Sequence, residues 1–251
     1  MVAEDIIAAL QLPEQARVNQ RVSKKLLIDN LAPTAADRQQ INEGIEEVQW
    51  VAALKPGNCG IPAYRDAQRE YVEVAVLRLT LRPSARPARL IELLHRAIPH
   101  PILLMVSTPE SVQLSLSHKR WAQNEASKTV LDGEITTATV LPAAPQITTA
   151  FLDAISLERQ PRSDLSVFYQ GWVDTLLALQ AAQHTGSFRA VNNLLDASAR
   201  RQALQACIEL QGQIATLRAQ AQKTQQIARQ VELNLQLKQL QQALSEAQAR
   251  L

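Results

Sequence analysis

Apolar positions along the chain follow two periods, and the places where one gives way to the other mark the elements. Thr34-Ala35-Ala36-Asp37 reads as a helix start, an N-cap hydroxyl with an acid three positions on. Ile41, Ile45 and Val48 then recur at helical spacing, and Val48, Trp50, Ala52 and Leu54 alternate, predicting that a strand follows directly. Pro56-Gly57-Asn58 and Gly60-Ile61-Pro62 punctuate a loop. Tyr71 to Leu81 is the strongest strand signal: Val72, Val74 and Val76 point one way, Ala75, Leu77 and Leu79 the other. Apolar residues on both faces predict a central strand covered twice.

Pro87 suits a first helical residue, and Leu90, Ile91, Leu94 and Ile98 form one stripe, so 87–98 reads as an amphipathic helix stopped by Pro99 and Pro101. On that stripe His95 falls on the polar side. Ile102 to Val106 reads as a short buried strand, and Val112, Leu114 and Leu116 as a half-exposed one after the Thr108-Pro109-Glu110 turn. Ile135 to Leu141 adds a further strand candidate. Beyond about Pro145 the period is helical: Phe151, Leu152 and Ile155, then Leu165, Phe168, Trp172, Leu176 and Leu179, closed by Thr185-Gly186-Ser187-Phe188.

From 196 to 251 the chain carries fourteen glutamines, eleven alanines, no proline and one glycine, Gly212. Cys207, Leu210, Ile214, Leu217, Ala221, Thr224, Ala228, Val231 and Leu235 recur at spacings of three and four, and Leu233, Leu237, Leu240, Leu244, Ala247 and Leu251 do so in a shifted register. The shift between 224 and 233 marks either a stutter in one long helix or the bend of a helical hairpin. Such a seam exceeds what an ordinary sheet covers and calls for another helix, from the chain itself, a second copy or a partner. Leu210, Ile214, Leu217, Leu233, Leu237, Leu240 and Leu244 are its candidate interaction residues.

The fold class expected is α+β: a mainly antiparallel sheet with packed helices, followed by a long C-terminal helix or hairpin of coiled-coil type. The boundaries drawn are an α+β domain over 1–145, a helical region packed on it over 146–195, and the tail over 196–251. Composition agrees. Hydrophobic residues make up 46% of the 251, aromatics 4%, and glycines number seven, which favours helix over an all-β sandwich. The formal charge of +2 is too mild to announce a nucleic-acid binder. Two distant cysteines, Cys59 and Cys207, imply no disulfide framework, and the acidic start and lack of a long apolar run imply neither leader nor membrane span, so a cytoplasmic protein is expected.

Candidate chemistry is sparse. His95, His100, His118 and His184 lack ligand partners at metal spacing, and Gly57-Asn58-Cys59-Gly60 lacks the lysine and the strand-to-helix context of a phosphate loop, so no metal or cofactor is expected. A metal-dependent nuclease would pair an acid with an acid-x-lysine on neighbouring strands. Asp66, Glu70 and Glu73 lie before or in the central strand, but Ala75 stands where that lysine would be, so the reading is not an enzyme, with a divergent nuclease the remoter alternative. Two basic groups could meet nucleic acid: Arg21, Lys24 and Lys25, and the run Lys119, Arg120, Trp121.

Several stretches together resemble a bacterial family, domain of unknown function 4391. They are Leu12-Pro13 with Val18 to Lys25, Ile45 to Trp50, Val72 to Leu79, Leu93 to Leu104 with its Arg96-Ala97-Ile98-Pro99-His100-Pro101 joint, Thr185 to Phe188, and Gln230 to Asn234 with Leu237 to Leu240. The family's usual lysine after the central strand is replaced, with Arg78 or Arg82 nearest, Ser23 stands where the family often has proline, and the tail is richer in glutamine. The resemblance implies an accessory component encoded beside large helicases and DNA methyltransferases in restriction-like antiphage systems. It offers no catalytic residues. The function expected is therefore a non-catalytic scaffold that bridges a helicase or DNA methyltransferase, with self-association through the tail, and with a nucleic-acid-binding module as the alternative.

Overall fold

The structure is a computed structural model that describes residues 3–31, 34–123, 128–140, 143–190, 194–224 and 226–251. The chain forms two compact units, Met1–Leu176 and Leu177–Leu251, divided inside a helix.

The first unit runs in the order α1 (Ala3–Ala9), β1 (Arg17–Arg21), α2 (Lys24–Leu31), α3 (Ala35–Gly44), β2 (Ile45–Leu54), the single turn α4 (Pro56–Cys59), β3 (Tyr64–Arg65), β4 (Glu70–Tyr71), β5 (Val74–Leu81), α5 (Pro87–Ala97), β6 (Ile102–Ser107), β7 (Val112–Trp121), β8 (Thr129–Val140), α6 (Pro145–Ala154) and the start of α7 (Leu165–Thr185). Among the described residues, six strands form one sheet in the order β1-β2-β5-β6-β7-β8. β5 and β6 run parallel and the other neighbours antiparallel. The parallel pair needs a crossover, which α5 supplies.

β5 is buried on one face throughout and on the other over its first half, Arg78 and Thr80 being half-buried. Ala75, Leu77, Leu79 and Leu81, with Ile102, Leu104 and Val106 of β6, pack on Leu27, Ile41, Leu90, Ile91 and Leu94 from α2, α3 and α5. On the other face Val74, Val76, Leu103 and Met105 are also withdrawn from water, and the Tyr169 hydroxyl of α7 donates toward the Ile102 and Ser117 carbonyls while accepting from the Ser117 amide.

Local signals place several ends where the sequence predicts. Thr34 caps α3, its hydroxyl oxygen accepting from the Asp37 amide, and Pro87 opens α5. The structure departs from the sequence reading at several points. β7, read as half-exposed, also buries Ser115 and Ser117, on the face opposite Leu114 and Leu116, because helices cover it there. Ile45 and Val48 continue the strand rather than the helix, which ends at Gly44. There an added Cβ would lie 3.1 Å from Ala85 Cβ, so the missing side chain lets the segment before α5 approach. Val72 is not on β5: Tyr71 pairs with Tyr64 in a separate two-stranded ribbon and Val72 is 37% exposed. β1 is an edge strand that a polar stretch without alternation did not announce. β8 starts earlier than expected, at Thr129, while Leu141 lies outside the described residues.

The second unit holds the end of α7, α8 (Leu194–Lys223) and α9 (Ile227–Gln248). The tail is thus two helices rather than one, and the shift in apolar register is the break between them. They pack on each other: Leu240 of α9 lines a shallow groove with Glu209, Thr216 and Leu217 of α8. The break contains neither glycine nor proline. The Gln230 side-chain amide donates to the Thr224 carbonyl at 2.7 Å, satisfying an oxygen that a continuing helix would have bonded. His184, near the end of α7, meets Gln211 of α8 at 3.3 Å.

Candidate functional site

The six residues pooled from sequence as a nucleic-acid surface do not form one patch. Arg21 leaves the edge strand β1, largely exposed, 3.5 Å from Glu47. Lys24, at the start of α2, donates to the Asn42 carbonyl at 3.1 Å, and Lys25 is exposed beside it. Arg120 and Trp121 sit on β7, four strands away, roughly 19 Å at ordinary strand spacing.

Lys119 is removed from that surface altogether. It is 1% exposed, and its Nζ donates to the carbonyls of His95 and Ile98. Strand alternation turns it into the sheet while Arg120 turns out toward Asp132. The same packing corrects His95, which is fully buried with Nε2 2.8 Å from Ser115 Oγ. α5 buries Leu90, Ile91, Leu93 and Leu94 as well, a wider face than a stripe at helical spacing implies.

The structure instead gathers Arg21 and Lys24 with Arg82. Burial first, then the nearby charges of Arg82 and Arg21, hold the Lys24 ammonium below its ordinary range, against the opposing charge of Glu46, which also lies near it. Arg82 follows β5, and its amide donates to the Gly44 carbonyl at 2.8 Å, which ties it to the β2 end of the sheet where Arg21 also lies. In sequence Arg82 stands 58 positions from Lys24, so spacing could not group them.

The acids weighed for nuclease chemistry serve local structure. Asp66 accepts from the Tyr64 hydroxyl at 2.6 Å and from the Gln68 and Arg69 amides, closing the β3–β4 turn. Glu70 pairs with Arg65, and Glu73 with Lys55 at 3.0 Å. Among the described residues, no group of three or more His, Cys, Asp and Glu side chains converges to hold a metal ion. The Cys59 thiol is buried and donates to the Lys55 carbonyl.

In the tail, Ile214 and Leu233 are buried, while Leu210, Leu217, Leu237, Leu240 and Leu244 are half-buried. The first register does not carry into α9: Val231 and Leu235, which continue it in sequence, stay in water at 64% and 60% exposed because α9 turns the Leu233 register inward, and Ile208 on α8 is 52% exposed. Val231 and Leu235 stand four apart on α9 and so share one face.

No described helix is long and apolar enough to cross a membrane. The family model for Domain of unknown function (DUF4391) matches residues 10–244, and the chain belongs to that family. No curated protein and no solved structure matches it.

Proposed function

We propose that this DUF4391 member is a non-catalytic accessory subunit that bridges components of a bacterial restriction-like antiphage system. The sheet-bearing unit docks on a helicase or DNA methyltransferase, and the α8–α9 pair captures a second component or a second copy. The observation that carries this reading is the exposed strip of Val231 and Leu235. A helix already burying Leu233 gains nothing by itself from a second apolar face. Removing two such side chains from water on assembly is worth roughly 1.5–3 kcal/mol each.

The test is Val231→Asp with Leu235→Asp in the full chain. Light scattering and co-purification with the helicase or methyltransferase encoded alongside should both show loss of assembly, while melting stays unchanged. Leu237→Asp with Leu244→Asp strikes the half-buried seam and should unfold the helical pair as well. An intact complex in the first variant would sink the reading.

Direct binding of nucleic acid is the second reading, favoured by the meeting of Arg21, Lys24 and Arg82. It requires affinity of the isolated chain for DNA that falls steeply with salt.

A further inference from the structure

The carboxyl ends of β5 and β6 open a cleft of about 310 Å³. This is the low end of the range for small-molecule sites, roughly 300–1,000 Å³. Carboxyl ends of parallel strands are where open sheets commonly bind ligands, because the segments leaving them diverge. Here one connection turns away into α5 and the other returns directly into β7.

Two buried polar groups in this cleft lack partners. Ser107, last residue of β6, is 8% exposed, and its Oγ makes no hydrogen bond. Arg78, on β5, donates through Nη1 to Glu4 of α1 at 2.5 Å, yet its Nε is buried without an acceptor. The pairing of Thr80 with Ser107 and of Arg78 with Met105 puts Arg78, Thr80 and Ser107 on one face of neighbouring strands. A buried donor left unpaired is costly, and both belong to residues that line this cleft, just beneath its wall, which marks a position for an acceptor once a small rotation opens them to it. The outer lining has the opposite sign, with the exposed carboxylates of Glu46 and Glu110.

We propose that this cleft binds a small zwitterion of the α-amino-acid class, its carboxylate inward on Arg78 and Ser107 and its ammonium outward on Glu46 and Glu110. A simple anion would meet two lining carboxylates and a guanidinium already shared with Glu4. A simple cation would leave Arg78 Nε and Ser107 Oγ without an acceptor. A molecule carrying both charges satisfies both ends.

The experiment is calorimetric or ligand-observed NMR titration of the full chain with L-alanine, L-glutamine and L-lysine. Propionate and propylamine serve as the two half-ligands. At least one amino acid should bind about tenfold more tightly than either half-ligand. Ser107→Ala and Glu110→Gln should each weaken it by a similar factor. Both variants should melt like the parent, since one loses an unpaired hydroxyl and the other alters an exposed side chain. The proposal is overturned if no amino acid binds, if a half-ligand binds as well as the zwitterion, or if both variants bind like the parent.

Discussion

Lys119 on β7 donates its buried ammonium to the carbonyl oxygen of His95 on α5, and also to that of Ile98 at 2.8 Å. The last carbonyls of a helix have no partner within it, and here a lysine from the sheet supplies one. Both groups register the arrangement. Burial lowers the Lys119 ammonium to about 8. His95 falls to about 3, first through its own burial and then through the Lys119 charge, so the imidazole stays neutral beside Ser115.

Replacing Lys119 by methionine keeps most of the volume and strands one buried and one partly buried carbonyl, so it should cost about 1–3 kcal/mol in urea unfolding. The parent should also gain stability as pH rises from about 8 toward 10. In that window the unfolded chain still holds the lysine proton that the folded chain has released. Above 10 Tyr71, pushed up to about 12 by burial, acts in the opposite sense. A Lys119→Met chain with the same gain as the parent would refute the assignment.

Arg89 of α5 grips Asp37 of α3 with two nitrogens, at 2.8 and 3.0 Å. That fork, helped by the Thr34 hydroxyl, lowers the Asp37 carboxyl to about 2. The depressed value stabilises the fold fully above the ordinary 3.8, and the contribution disappears as pH falls toward 2. Asp37→Asn should therefore be less stable at neutral pH and flatter in its acid dependence across this window. Equal slopes for the two chains, followed by circular dichroism in urea, would count against it.

Gly171 in α7 is a site of close approach. A Cβ there would stand 2.7 Å from both Gln160 Oε1 and Pro161 Cδ. Alanine should favour the helix by up to about 1 kcal/mol. Overpacking costs about 1–3 kcal/mol. We expect Gly171→Ala to be destabilising on balance, shown as a lower melting temperature. A rise would mean that the Gln160 segment yields freely.

If the chain meets DNA through Arg21, Lys24 and Arg82, about three phosphate contacts give a log–log salt slope near −3. Changing all three to alanine should abolish the salt-dependent binding, whereas Arg120→Ala, four strands away, should leave the slope unchanged. Fluorescence anisotropy across a salt series measures both. A slope that responds to Arg120 instead would relocate the surface.

Much of the secondary structure is legible in the sequence because its causes are local. Pro87 opens a helix because its ring and missing amide suit the first turn. Thr34 and Asp37 make a cap because they lie three apart. Periodicity also carries across short distances: Tyr71 to Leu81 reads as doubly covered because its apolar residues fall on both faces, and from Val74 to Leu77 both faces are buried, while Arg78 and Thr80 are half-buried. The first register of the tail holds on α8 but fails past the break, where Val231 and Leu235 are exposed, and the second holds on α9; the bend itself is legible only as a mismatch, since Thr224 and Gln226 carry no turn chemistry. The candidate site was far less legible. A basic run in sequence, Lys119-Arg120-Trp121, becomes one buried and two half-buried positions once it is a strand, and Arg82 joins Arg21 and Lys24 only across the sheet.

The sequence by itself determined that helices start at Ala35 and Pro87, that the apolar strand up to Leu81 lies inside the fold, and that the last fifty or so residues need another helix. Those properties belong to short stretches of chain and their preferred dihedral angles. Tertiary structure alone decided the parallel pairing of β5 with β6, the union of Lys119 with the end of α5, and the cleft over Arg78 and Ser107. Which strands become neighbours follows from the apolar surface that distant segments bury together, and no stretch of the chain encodes that sum locally.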